Sequence, residues 1–198
     1  MKCKAFLSSL VSAATVFGCL SASAAEAPKT PAKKVLIAFF SYTGNTRAAA
    51  EQIQKAAGGE LYEIKPQKPY PANCRACVVL AKKEIDAGST PPLADNKDLT
   101  DYDVIFLGSP NWWGTMAPPV RTFIKEHDLA GKVIIPFFTH GTGGMQQCET
   151  DMRKYCEAAE AGRILKASAY PGNMTKNELP ELAQWAKESL KEARGKKK

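Results

Sequence analysis

Apolar residues in this chain gather in short unbroken runs, separated by longer stretches with helical spacing. Val35 to Phe40 is continuous and apolar, the signature of a strand buried on both faces, as in a parallel sheet. A polar turn over Ser41–Thr46 leads into an alanine-rich helix expected over Asn45–Ala57 and closed by Gly58 and Gly59. A short strand follows at Leu61–Ile64, then a loop over 65–73 that holds Pro66, Pro69 and Pro71, a helix from about Arg75 to Ala87, and a second proline-rich loop over 88–95.

The alternation then repeats. Strands are expected at Val104–Leu107, Val133–Phe138 and Ile164–Ala169, and helices at Val120–Glu126, Met145–Ala161 and Glu178–Ala193. Pro118 and Pro119 lie near the first turn of one helix, where a missing N–H costs nothing. Strand–helix alternation of this kind predicts an α/β fold with a parallel sheet covered on both sides. About five strands in one domain suit a doubly wound sheet of order 2-1-3-4-5.

The first residues follow a different pattern. Lys2 and Lys4 precede an apolar stretch from Ala5 to about Leu20, and small residues lead to Ser23, Ala24 and Ala25. This layout predicts a secretory signal peptide over 1–25, a linker over 26–33, a domain over 34–194 and a basic tail over 195–198. Two alternatives stand beside it. One is an uncleaved anchor, although the stretch is shorter than the roughly 20 residues of a spanning helix. The other is a lipoprotein held through Cys19, whose approach sequence has bulky Phe17 where small residues are usual. Export places the mature chain in the periplasm or outside the cell.

Charge and cysteines sharpen the picture. The 198 residues carry a net charge of +7, and loss of Lys2 and Lys4 with the signal leaves +5. Part of this sits in the C-terminal lysines, a solvated tail with a weak preference for acidic partners. No basic stripe interleaved with aromatics points to nucleic acid. Cys74, Cys77, Cys148 and Cys156 remain after Cys3 and Cys19 leave with the signal. The pair Cys74-x-x-Cys77 is single, and His127 and His140 are the only histidines, which argues against a zinc site. Cys148 and Cys156 lie about 12 Å apart along one continuous helix, too far for a disulfide. Cys74 and Cys77 are one helical turn apart, where a disulfide is strained. The expectation is that none of the four is catalytic.

In a sheet of this order, ligands bind beyond the carboxyl ends of the strands, where strand order reverses. Three loops reach that point: Ser41–Thr46, Ser109–Gly114 and Thr139–Gly144. The first offers the N–H groups of a helix start and the hydroxyls of Ser41, Thr43 and Thr46, with Gly44 allowing close approach and no lysine present. It predicts a phosphate site built from neutral dipoles; an ordinary helix cap would need only one such residue.

The sequence Ser41-Tyr42-Thr43-Gly44-Asn45-Thr46 resembles the phosphate loop of the flavodoxin family, Ser/Thr-x-Thr-Gly-x-Thr, at every fixed position. Tyr102 through Gly114 looks like that family's second flavin loop, and Gly131 through Gly144 like its strand and third loop. The resemblance spans Lys33 to about Ala193 and is closest to the short-chain form. It implies that FMN is the cofactor. Ser41, Thr43, Gly44, Asn45 and Thr46 would hold its phosphate. Pro110, Asn111, Trp112, Trp113 and Gly114 would flank the isoalloxazine ring, with one of the two indoles stacked on it. Thr139, His140, Gly141, Thr142 and Gly143 would line the other edge, where His140 is placed to tune the flavin.

Two functional readings stay open. One is an exported electron-transfer protein serving a redox partner protein or a small electron acceptor. The other is an NAD(P)H-dependent flavin or quinone reductase that uses the same site. Electron-carrier flavodoxins are usually acidic and cytoplasmic, and this chain is basic with an export-like start. The dinucleotide fingerprint G-x-G-x-x-G, the ATP phosphate loop and the hydrolase elbow G-x-S-x-G are absent from the corresponding positions.

Overall fold

The computed structural model describes residues 34–195; the expected signal peptide, linker and last three lysines lie outside the described residues. Among the described residues seven strands form one sheet: β1 (Lys34–Phe39), β2 (Glu60–Glu63), β3 (Tyr102–Trp112), β4 (Thr115–Met116), β5 (Val133–His140), β6 (Arg163–Ile164) and β7 (Ser168–Pro171). Five helices alternate with them: α1 (Asn45–Ala57), α2 (Cys74–Asp86), α3 (Pro118–Glu126), α4 (Cys148–Ala158) and α5 (Pro180–Arg194). The strand order is β2-β1-β3-β5-β6, with β7 also paired to β5. All of these pairings are parallel; β4 alone runs antiparallel, on the end of β3. With β6 and β7 taken as one interrupted edge strand and β4 as an appendage, this is the doubly wound, flavodoxin-like order 2-1-3-4-5.

The period-two alternation of a strand divides each central run between two cores. Leu36, Ala38 and Phe40 point to one face, where Ile105, Leu107, Phe123 of α3 and Met152 of α4 meet them. Val35, Ile37 and Phe39 point to the other, against Ala49, Ala50 and Ile53 of α1 and Leu182 and Ala186 of α5. Both faces are dry from Val35 to Phe39, so no polar position interrupts that run. Among the described residues no helix is long and apolar enough to cross a membrane.

Three elements are split or depart from the expected bounds by more than two residues, each for a local reason. Strand β3 runs on to Trp112, because Asn111 and Trp112 pair with Met116 and Thr115 in a small hairpin. The stretch expected as a loop from Ser109 is therefore largely extended backbone. Helix α4 starts at Cys148 rather than Met145: Gln146 has φ of 47°, and the Gln147 N–H donates to the Gly114 carbonyl (2.9 Å). The expected edge strand Ile164–Ala169 is split in two; Leu165 still donates its N–H to the Ile134 carbonyl (2.9 Å) before pairing resumes at Ser168.

Close packing at the sheet centre sets a strict size limit. A Cβ added at Gly108 would lie 2.2 Å from the Phe137 ring, so the strand beside the crevice tolerates no side chain there. Overpacking of this kind costs about 1–3 kcal/mol. Gly108→Ala should lower the urea midpoint by that amount of stability with an unchanged denaturant slope; an unaltered midpoint would show that Phe137 is free to move aside.

Candidate functional site

The crevice opens where the chain leaves β1 toward α1 on one side and β3 toward α3 on the other. Gly44 precedes α1 with φ of 86°, a left-handed turn that aims the helix start into the crevice. The first helical bond runs from Ala48 N–H to the Gly44 carbonyl (2.9 Å). Among the described residues, the N–H groups of Asn45 and Thr46 find no acceptor, as expected of the first turn of a helix. Thr46 is buried, and its Oγ1 lies 2.8 Å from Oγ1 of Thr139. That bond ties the first loop to the third.

Ser41, the first expected phosphate ligand, also braces the start of α1. The Ser41 hydroxyl accepts the Arg47 N–H (3.2 Å), and Ser41 faces a neighbouring cavity beside Glu63 and Tyr70. Arg47 in turn donates to both carboxylate oxygens of Glu63 (2.6 and 2.7 Å). The loop's one cation is thereby turned toward β2 and neutralised. Thr43, Asn45 and Thr46 do line the crevice, in a cavity of about 420 Å³ shared with Pro110, Thr139, Thr142 and Asn173.

A second cavity, of about 560 Å³, adjoins the first through Tyr42, Thr43, Asn111, Trp112, His140 and Gly141. Its walls separate the two indoles. Trp112 is packed edge-on against Phe40, Tyr42 and Tyr70, with ring centroids 5.3, 5.9 and 4.9 Å away. Trp113, more than half exposed, takes the unusual φ of 54°. Its indole N–H donates to the Val78 carbonyl of α2 (3.2 Å), and the Lys82 ammonium lies 5.7 Å from its ring centroid. Trp112 is thus part of the floor, whereas Trp113 is a flap pinned to a neighbouring helix.

The second and third loops are stitched together by Asn111. Its side chain donates to the Gly144 carbonyl (2.7 Å) and to Gln146 Oε1 (3.1 Å), and accepts the Gly114 N–H (2.9 Å). His140 and Gly141 border both cavities, Gly114 and Gly143 the larger one only. The His140 carbonyl accepts the Gly172 N–H (2.8 Å), which brings Asn173 to the phosphate half.

Sequence reasoning missed three contributors. Asn173 follows the carboxyl end of β7, so the rule that found the other loops would have found it. Gln146 enters only because α4 starts late. The third is the face of α2 formed by Cys74, Cys77, Val78 and Ala81, which walls the larger cavity. Tyr42 docks the start of that helix through hydrogen bonds to the carbonyls of Pro71 (2.7 Å) and Ala72 (3.2 Å).

The four cysteines fall into two groups. Cys148 and Cys156 are buried on α4, and burial pushes both thiols up to about 12. Cys74 is exposed and Cys77 buried, and both border the cleft.

Known proteins share this fold. A crystal structure of a candidate flavoprotein from Bacteroides uniformis is 31% identical, with a TM-score of 0.69, covering 78% of this chain and 98% of that one. A second, from Bacteroides eggerthii, is 28% identical with a TM-score of 0.66, covering 83% and 100%. A flavoprotein from Lactobacillus acidophilus, solved in complex with FMN, is 27% identical with a TM-score of 0.59, covering 70% and 93%. The flavodoxin family profile matches residues 34–188, from the first residue of β1 into α5. This chain belongs to the flavodoxin family.

Proposed function

We propose that this protein binds FMN in the crevice and transfers electrons between the flavin and a redox partner outside the cytoplasm. The observation that carries the reading is the pairing of two cavities: one at the start of α1 lined by the hydroxyl and amide side chains of Thr43, Asn45, Thr46, Thr139 and Asn173, and an adjoining, largely apolar one beside Trp113. Their sizes and chemistry suit a phosphate joined to a flat aromatic ring. The complex of the Lactobacillus acidophilus flavoprotein with FMN supports the same choice of ligand.

The residues present fit that group. The N–H groups of Asn45 and Thr46 and the hydroxyls of Thr43 and Thr46 would hold a terminal phosphate without a cation, the Thr46 hydroxyl donating to it while accepting from Thr139, because a helix start favours negative charge. Asn111, Gly114, Gly141 and Gly143 present backbone and amide groups beside the ring position. Trp113 covers it and supplies apolar contact area. FMN, when bound, supplies the redox chemistry; the chain's own part is to orient it, exclude water from one face and leave an edge open to a partner. The exposed apolar side chains of Val78 and Trp113 border that edge.

The export reading rests on the pattern of residues 1–25. Intact mass of the protein from the exported fraction should correspond to a chain beginning at Glu26. A mass that includes Met1 would contradict cleavage, and recovery only from the cytoplasm would contradict export.

FMN titration into the apoprotein, followed by quenching of flavin fluorescence, should give one site per chain. Thr43→Ala and Thr46→Ala should each raise Kd by about fivefold or more, the effect of one lost hydrogen bond to a charged group at about 1 kcal/mol or more. Trp113→Ala should loosen FMN by about tenfold with little change in folding stability, as an exposed stacking partner would. Trp112→Ala should instead destabilise the fold by about 2–3 kcal/mol through the lost aromatic packing. No quenching at micromolar protein would refute the proposal. Sustained NADH or NADPH oxidation with a quinone acceptor would mark the protein as a reductase instead of a carrier.

A further inference from the structure

The wall of α2 holds chemistry that flavin binding does not use. Cys74 is the first residue of the helix and Cys77 lies one turn later on the same side. In helical geometry their Cα atoms are about 5 Å apart, inside the range of roughly 4.4–6.8 Å that a disulfide spans. The two thiols differ in access: Cys74 is exposed, and Cys77 is only 3% exposed. Closing the bond tightens just the first turn, which is held by the Asn73 cap on the Ala76 N–H (3.1 Å) and by the bond from Cys77 N–H to the Asn73 carbonyl (2.9 Å). A disulfide that is strained or exposed is the reducible kind, suited to turnover rather than to bracing a fold.

We propose that Cys74 and Cys77 form a reversible dithiol–disulfide couple that exchanges an electron pair with flavin bound in the same cleft and acts on external disulfides. The proposal rests on the FMN reading above. Cys74, as thiolate, attacks an external disulfide R–S–S–R, forming a Cys74–S–S–R bond and releasing one R–S⁻. The Cys77 thiol then loses its proton, attacks Cys74 Sγ and releases the second R–S⁻, leaving Cys74 and Cys77 joined. Two electrons from the reduced flavin, with two protons, restore both thiols and leave the flavin oxidised.

The asymmetry of the pair matches these roles. An exposed thiol can reach a substrate, and a buried one resolves the mixed disulfide. Burial pushes the Cys77 thiol up, which suits the resolving rather than the attacking role. Tyr42 lines the larger cavity together with Cys74 and Cys77 and the smaller one together with Thr43 and Thr46, so the thiol pair and the flavin site share a wall. Cys148 and Cys156 do not border either cavity and serve as internal references for thiol counting.

The test is an anaerobic dithionite titration of the oxidised, FMN-loaded protein, paired with alkylation and peptide mapping. The wild type should accept about four electrons per FMN, and Cys74→Ser about two. Mapping should find Cys74 joined to Cys77 before reduction and both alkylated after it. Dithionite should reduce the disulfide at least tenfold faster with FMN bound than in apoprotein. If Cys74→Ser does not fold, wild type alkylated at Cys74 after reduction replaces it, with the same expected count of two. Wild type that binds FMN yet takes two electrons, or keeps both thiols free after treatment with oxidised glutathione, would overturn the couple alone. A chain that forms the disulfide but retains no FMN would refute the flavin reading and the electron exchange with it.

Discussion

The structure depends on β1 being paired on both sides and buried on both faces. A strand so placed must be apolar wherever it is buried, from Val35 to Phe39, and its neighbours β2 and β3 must lie on opposite edges. The chain therefore leaves β1 to wind one way and leaves β3 to wind the other, and a crevice opens between their carboxyl ends. The start of α1 is aimed into that crevice by the same geometry. The two cores keep this frame rigid, with α1 and α5 on one face and α3 and α4 on the other.

The site is held together by hydrogen bonds within the protein. Thr46 and Thr139 join the first loop to the third, Asn111 joins the second to the third, and Tyr42 joins the first to the start of α2. Loops fixed this way need little further ordering when a ligand arrives, which lowers the cost of binding. The electrostatics follow from the same economy. Arg47 is neutralised by Glu63, so the attraction for a phosphate comes from fixed N–H dipoles. Such dipoles do not titrate, and they keep the crevice free of a mobile cation.

Most of this frame was legible in the sequence because its causes are local. Val35–Phe40 reads as a central strand from its unbroken apolar run, and α1 was bounded correctly by the turn before it and the glycines after it. Ser41–Thr46 announced its helix start through its crowding of hydroxyls. The parts that were not legible depend on contacts between distant segments. The extension of β3 to Trp112 needs Met116 as a partner. The late start of α4 needs the Gly114 carbonyl. The placement of Cys74 and Cys77 beside the cleft needs the path of the proline-rich loop, which no periodicity encodes. The bond from the Arg47 N–H to the Ser41 hydroxyl was equally illegible, and it leaves the hydroxyl's own proton free to donate. The two adjacent tryptophans could be told apart only once Phe40, Tyr42 and Tyr70 were seen to gather around the first.

The central claim is that the start of α1 receives a phosphate while the adjoining apolar cavity receives the ring. Backbone amide NMR of the uniformly ¹⁵N-labelled protein during FMN addition tests it most directly. The account predicts saturating shifts of the Asn45 and Thr46 amides together with those of Gly114 and Gly141 and the Trp113 indole, all following one binding curve. Shifts confined to the exposed lysines, or binding that leaves the Asn45 and Thr46 amides unmoved, would contradict it.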